Sequence, residues 1–181
     1  MPLSQPKTRE IIHTRQIKSC GFKRKDGLWD IEAHLTDTKA YDFSNSSRGT
    51  VAAGEPVHDM WIRLTLDDDL SIRQLEAISD STPYELCPRV NENFKNLVGI
   101  KIAPGWSREV KKRVGGIRGC THLVELLGVM ATVAFQTIFS LREEDVMASG
   151  DKKPPMLNSC HAWAENSPVV KEQYPNWYKE R

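Results

Sequence analysis

The sequence predicts an α+β fold, an antiparallel β-meander with helices packed on one face. Three observations carry this. Apolar residues alternate with period two through residues 9–43 and 60–78. An Asp-Gly pair stands between two alternating segments, a hairpin signal. After Ser79 the spacing turns helical and ends in a long apolar stripe.

The elements follow in order. Arg9 to Lys18 alternates loosely around Ile11 and Ile12. Arg24-Lys25-Asp26-Gly27 turns the chain into a clearer strand. There Trp29, Ile31, Ala33 and Leu35 share one face, and Asp30, Glu32, His34 and Thr36 the other. Residues 44–56, rich in Ser, Gly and Pro, read as a loop. Met60, Ile62, Leu64 and Leu66 then alternate with Trp61, Arg63 and Thr65. An acidic turn, Asp67-Asp68-Asp69, leads to a strand from Leu70 to Ile78. Val90, Phe94, Leu97 and Val98 have helical spacing. Gly105-Trp106 opens a short basic helix that Gly115-Gly116 closes. From Cys120, the stripe Leu123, Leu127, Ala131, Ala134, Ile138 predicts a helix of about five turns. Residues 1–148 are read as one α+β domain. Residues 149–181 are read as a linker, Gly150 to Pro155, and an aromatic tail (Tyr174, Trp177, Tyr178) packing on that domain.

A chain of 181 residues favours one domain and can bury a core without disulfides. Charged residues make up 27% and nearly cancel to +1, which argues against nucleic acid as a partner. No apolar run approaches the roughly 20 residues that cross a bilayer, so no membrane partner is expected. Met1 to Arg15 lacks the apolar core of a signal peptide. A cytoplasmic location with reduced cysteines is the expectation. Cys20, Cys87, Cys120 and Cys160 form no CxxC pair. The five tryptophans serve core packing or stacking on an aromatic ligand. The aromatic tail leaves room for a homodimer.

Cys120-Thr121-His122 is the most informative constellation. A cysteine in the first turn of a helix meets unpaired N–H groups and the positive dipole end, which favour a thiolate, a nucleophile and metal ligand. Cys120 also lies on the apolar stripe, so an inert core cysteine is the competing reading. Glu125, one turn on, can orient an imidazole or act as a base. His58 is in phase with Met60 and Ile62 and points to the core side, where a lone histidine is usually a satisfied core residue. Cys87 lies between Pro83 and Pro88. Together His58, Cys87, Cys120 and His122 are ligand types suited to zinc or iron, three ligands and an open position being the catalytic pattern. The apolar face of the 29–35 strand continues in phase to Asp37, Lys39 and Tyr41. A core face that turns polar at a strand end lines a pocket mouth or simply reaches solvent. In a pocket, Asp37, Lys39, Tyr41 and His58 are the catalytic candidates. Trp61, Arg63, Trp106 and Glu125 are candidate substrate contacts, with a plain surface charge as the other reading of Arg63. Cys160-His161 reads as surface and Cys20 as structural.

The run His58-Asp59-Met60-Trp61-Ile62-Arg63, with Pro83-Tyr84, Cys87-Pro88, Gly105-Trp106 and Gly119-Cys120-Thr121-His122-Leu123-Val124-Glu125-Leu126, resembles a bacterial family of unknown function, DUF2889. The resemblance covers most of residues 8–140. It implies a companion of catabolic enzymes for aromatic and acyl compounds. The order of elements is also similar, more distantly, to the NifU/IscU iron–sulfur scaffolds and implies a SufE/NifU-like sandwich. Carried over, His58 takes the place of the first scaffold cysteine, Asp59 lies near the aspartate, and Cys87 and Cys120 are the other two cysteines. With His122 added from the reading of the residues themselves, the candidate metal ligands are His58, Asp59, Cys87, Cys120 and His122.

The functional expectation is a small metal-dependent enzyme, zinc or iron, with lyase- or hydrolase-type action on an aromatic or phenylpropanoid-like compound. The alternatives are a cofactor-free lyase using Lys39, Tyr41 or Cys120, and a zinc or iron–sulfur carrier.

Overall fold

A computed structural model describes residues 3–141 and 153–180. It divides into two compact units, residues 1–138 and 139–181. The boundary expected at 148/149, and part of the expected linker, lie outside the described residues.

The first unit is α+β. Four strands, β1 (His13–Lys23), β2 (Trp29–Lys39), β5 (Pro56–Leu66) and β6 (Ile72–Ser81), form an antiparallel sheet in the order β1-β2-β5-β6. A separate hairpin, β3 (Phe43–Asn45) and β4 (Gly49–Val51), lies in the segment read as loop. Its turn is fixed by Asn45, whose side-chain oxygen accepts from the N–H groups of Ser47 and Arg48. A 3-10 helix spans Cys87–Leu97, where the 90–98 spacing predicts a helix, and α1 (Trp106–Val114) and α2 (Thr121–Phe139) follow.

Two strands start later than the periodicity predicts. Ile11 and Ile12 are exposed, and β1 begins only at His13, opposite Lys39. Leu70 takes a positive φ of 65° in the acidic turn, so β6 begins at Ile72. Asp67 fixes that turn by accepting from the N–H groups of Asp69 and Ser71.

The period-two pattern sets the core. Trp29, Ile31, Ala33 and Leu35 of β2 pair directly with Leu66, Leu64, Ile62 and Met60 of β5, and all eight are buried. Phe94, Leu97, Val110 and Val114 join the same core, as do Leu123, Leu126, Leu127, Met130, Ala134 and Ile138 of α2. Trp106 is part of it too, and its indole N–H donates to the Leu127 carbonyl at 3.1 Å, tying α1 to α2.

α2 crosses the sheet from one end to the other. A Cβ added to Gly21 would lie 2.0 Å from Thr137 Oγ1, so only glycine allows this approach of strand and helix. Near the other end of α2, His122 lies close to Asp37. Six strand residues and fifteen helical residues both cover about 20 Å, so the two contacts share one alignment.

One expectation is corrected here. α2 has 19 residues with a mean hydropathy of 1.5, long and apolar enough by length and composition to cross a membrane. Six of its side chains lie in the core, and about a third of its apolar stretch is buried.

In the second unit, α3 (Pro168–Gln173) starts with Pro168 at its first turn. Ser167 Oγ accepts from the Val170 N–H at 3.1 Å and caps it. The rings of Trp163 and Tyr174 meet at a tilt of 57°, with centroids 5.8 Å apart.

Candidate functional site

The buried face of the sheet turns polar at one end, in a row across three strands. β1 and β2 place Arg15 opposite Asp37, and β2 and β5 place Asp37 opposite His58. This row is the next in phase after the apolar pair Leu35–Met60. Asp37 is 2% exposed.

A carboxylate this buried needs partners. Arg15 grips it with a fork, Nε to Oδ1 and Nη2 to Oδ2, both at 2.7 Å. His58 Nδ1 lies 2.9 Å from Oδ2, and His13 Nε2 3.1 Å from Oδ1. Facing an ionised carboxylate, each imidazole donates through that nitrogen. Arg15 also reaches Glu125 of α2 through Nη1.

The helix brings the remaining members. His122 Nε2 is 3.7 Å from Asp37 Oδ2, and its ring lies over that of His58 with centroids 3.7 Å apart. The other nitrogen, Nδ1, is 3.6 Å from Cys120 Sγ. Cys120 immediately precedes α2 and is partly buried, its sulfur 4.0 Å from Met60 Sδ. Among the described residues, Asp37, His58 and His122 form a group whose ligand-type atoms all lie within 4.8 Å of one another.

Charge balance follows from this packing. Burial pushes the Asp37 carboxyl up, but Arg15, His58 and His13 outweigh it and hold it below the usual carboxylate range. Burial pushes His58 down, and the neighbouring His122 adds to this against the pull of Asp37. Burial also lowers His122, helped by Arg15 and opposed by Asp37 and Glu125. Two imidazoles biased toward neutrality thus face an ionised carboxylate, the forms a metal or a proton-transfer site requires.

Of the residues singled out in the sequence, Asp37, His58, Cys120, His122 and Glu125 come together. The others are placed elsewhere. Asp59 lies opposite Thr36 and pairs with His34 at 2.6 Å, and His34 stacks on Trp61 at 3.7 Å. Arg63 binds Glu32 and Glu76 in the same groove as Trp61. Lys39 lies over the rings of Phe43 and Tyr41, at 3.9 and 5.3 Å. Cys87 opens the 3-10 helix, outside the Asp37–His58–His122 group. Trp106 is buried between α1 and α2. Cys160 and His161 are exposed.

Sequence reasoning missed His13 and Arg15. The β1–β2 pairing is symmetric about Asp26 alone, whereas a hairpin centred on the Asp26-Gly27 pair sets Arg15 against Thr38, so the turn signal by itself misses the register that brings Arg15 to Asp37.

Fold and site thus define a class: an α+β protein whose four-stranded antiparallel sheet ends in a buried carboxylate flanked by histidines. Residues 13–136 match the family described as a protein of unknown function, DUF2889, and the chain belongs to that family. No curated protein and no solved structure matches it.

Proposed function

We propose that the chain is a small metal-dependent enzyme centred on Asp37, His58 and His122. The observation that carries this reading is the convergence of two imidazoles and one carboxylate within 4.8 Å. Two histidines and a carboxylate are a donor set used by zinc hydrolases and by non-haem iron sites, so zinc or iron is the proposed ion. An ion there would replace the His58 Nδ1–H hydrogen bond to Asp37, with the ring proton moved to Nε2. Ligand bonds of about 2.0–2.2 Å at 90–109° separate donor atoms by roughly 3–3.5 Å, and the two imidazole–Asp37 separations, 2.9 and 3.7 Å, lie on either side of that range.

Such an ion supplies polarisation of a carbonyl or activation of water. The chain supplies the rest. Arg15 fixes the carboxylate and offsets its charge. Cys120 meets the far nitrogen of His122 and orients its ring, the role outer partners play around ligating histidines. His13 is half exposed and contacts Asp37 Oδ1, a position from which a proton passes to solvent. The chemistry proposed is lyase- or hydrolase-type on a small aromatic compound. The donor set also favours a mononuclear centre over a NifU/IscU-like scaffold, which needs several cysteines.

Metal analysis of protein purified without chelators tests the reading. About one zinc or iron per chain is expected, falling below a tenth in His58→Ala and His122→Ala. Folded protein that neither carries nor takes up metal would sink it.

A second reading has its own observation. Cys120 Sγ, His122 Nδ1, His122 Nε2 and Asp37 Oδ2 form a thiol–imidazole–carboxylate line, with steps of 3.6 and 3.7 Å. Without a metal, Cys120 is the nucleophile, His122 its base and Asp37 the group that orients the base. Metal-free protein in which iodoacetamide labels Cys120 far faster than glutathione supports this second reading.

A further inference from the structure

An open cleft of about 540 Å³ is lined by the end of α1 and the start of α2, with Cys120 among its lining residues. Its charged lining residues are Lys111 and Arg118, both cations and both exposed. Ile117, 99% exposed, and Val124 give it an apolar wall. Gly115 lines it as well, and a Cβ there would meet the Lys111 carbonyl oxygen at 2.4 Å. Cys120 belongs to both regions: it lines the cleft and touches His122.

We infer that this cleft binds the substrate, and that the substrate is an amphipathic organic anion. Lys111 and Arg118 hold its carboxylate or phosphate, Ile117 and Val124 cover its apolar body, and its reacting end points past Cys120 toward the histidines. The inference rests on the site of the proposed function and names the substrate class for it. Two cations with no acidic counterpart in the lining raise the local concentration of anions. The apolar wall rejects small hydrated ions in favour of a carboxylate with an aromatic or aliphatic body.

The test compares alkylation of Cys120 by iodoacetate, an anion, and by iodoacetamide, its neutral analogue. In both, a sulfur–carbon bond forms, the carbon–iodine bond breaks, iodide leaves with the electron pair, and the thiol proton passes to buffer. Site-resolved mass spectrometry separates Cys120 from Cys20, Cys87 and Cys160. The iodoacetate-to-iodoacetamide rate ratio at Cys120 is expected to exceed that of glutathione about tenfold. It should collapse to the glutathione ratio in Lys111→Gln/Arg118→Gln, whose side chains are exposed and leave the fold intact. Benzoate should protect Cys120 from iodoacetamide where benzamide does not. A wild-type ratio equal to that of glutathione, a ratio unchanged in the double variant, or a Cys120 closed to both reagents each overturns the inference. Metal content, read on the same samples, reports the proposed centre separately. The ratio can therefore fail while the metal stands, and the metal can fail while the ratio stands.

Discussion

Arg15 and Asp37 face each other across β1 and β2 and are joined by two hydrogen bonds of 2.7 Å. The Arg15 side chain is 29% exposed and that of Asp37 3%, so the carboxylate is cut off from water while its partner's side chain reaches it.

Arg15→Ala therefore leaves a buried carboxylate facing only the imidazoles of His13, His58 and His122. The loss expected is about 3 kcal/mol, typical of breaking a buried pair by removing one partner. Arg15→Met with Asp37→Leu should cost less than Arg15→Ala, because no buried charge is left over. Urea denaturation of the three variants reads this. Equal losses in all three would contradict it.

The cluster also sets a pH dependence for metal-free protein. Asp37 is held below the usual carboxylate range, so its stabilisation is present above the unfolded value and is lost as pH falls through the folded one. His58 and His122 are also lowered, so below about 6.5 the unfolded chain takes up protons before the folded one does. Both effects have the same sign. Stability should fall from pH 7 to pH 5 and continue to fall in acid. A urea midpoint that rises over that interval would contradict the assignment.

Gly21→Ala should destabilise the fold by about 1–3 kcal/mol, the usual cost of overpacking. The added Cβ meets Thr137 at its Oγ1, Cγ2 and Cβ, so rotating the threonine does not relieve the clash. Thr137→Ala added to it should recover part of the loss. Thermal melts of the single and double variants would show whether α2 crosses β1 at this point.

Trp106→Phe separates a core role from a substrate role. It removes the indole bond to the Leu127 carbonyl and should cost about 1 kcal/mol. Metal content and the Cys120 alkylation ratio should not change. A changed ratio would place Trp106 at the cleft after all.

The strong alternation of β2 and β5 made the sheet legible, because a half-buried strand writes burial into every second residue. The same phase carried Asp37 and His58 onto the core face beyond Leu35 and Met60. The stripe and the glycines likewise marked α2 and its start. β1 was read poorly, since only Ile17 among its residues facing the core cluster is a large apolar side chain. Arg15 and His13 were missed for that reason: their burial partners lie on another strand, and only hairpin register connects them. Cys87 was grouped with the site by its ligand type and Asp59 by the order of elements. Order along the chain says nothing of which sheet face a side chain takes, and Asp59, one residue from His58, faces the other way to His34.

The central claim is that Asp37, His58 and His122 hold an ion. Chelator-stripped protein titrated with zinc in a calorimeter measures it. One site per chain is expected in the wild type, and binding weakened by at least about tenfold in His58→Ala, His122→Ala and Asp37→Asn. Zinc binding that is absent from the folded wild type, or that survives all three substitutions unchanged, would contradict it.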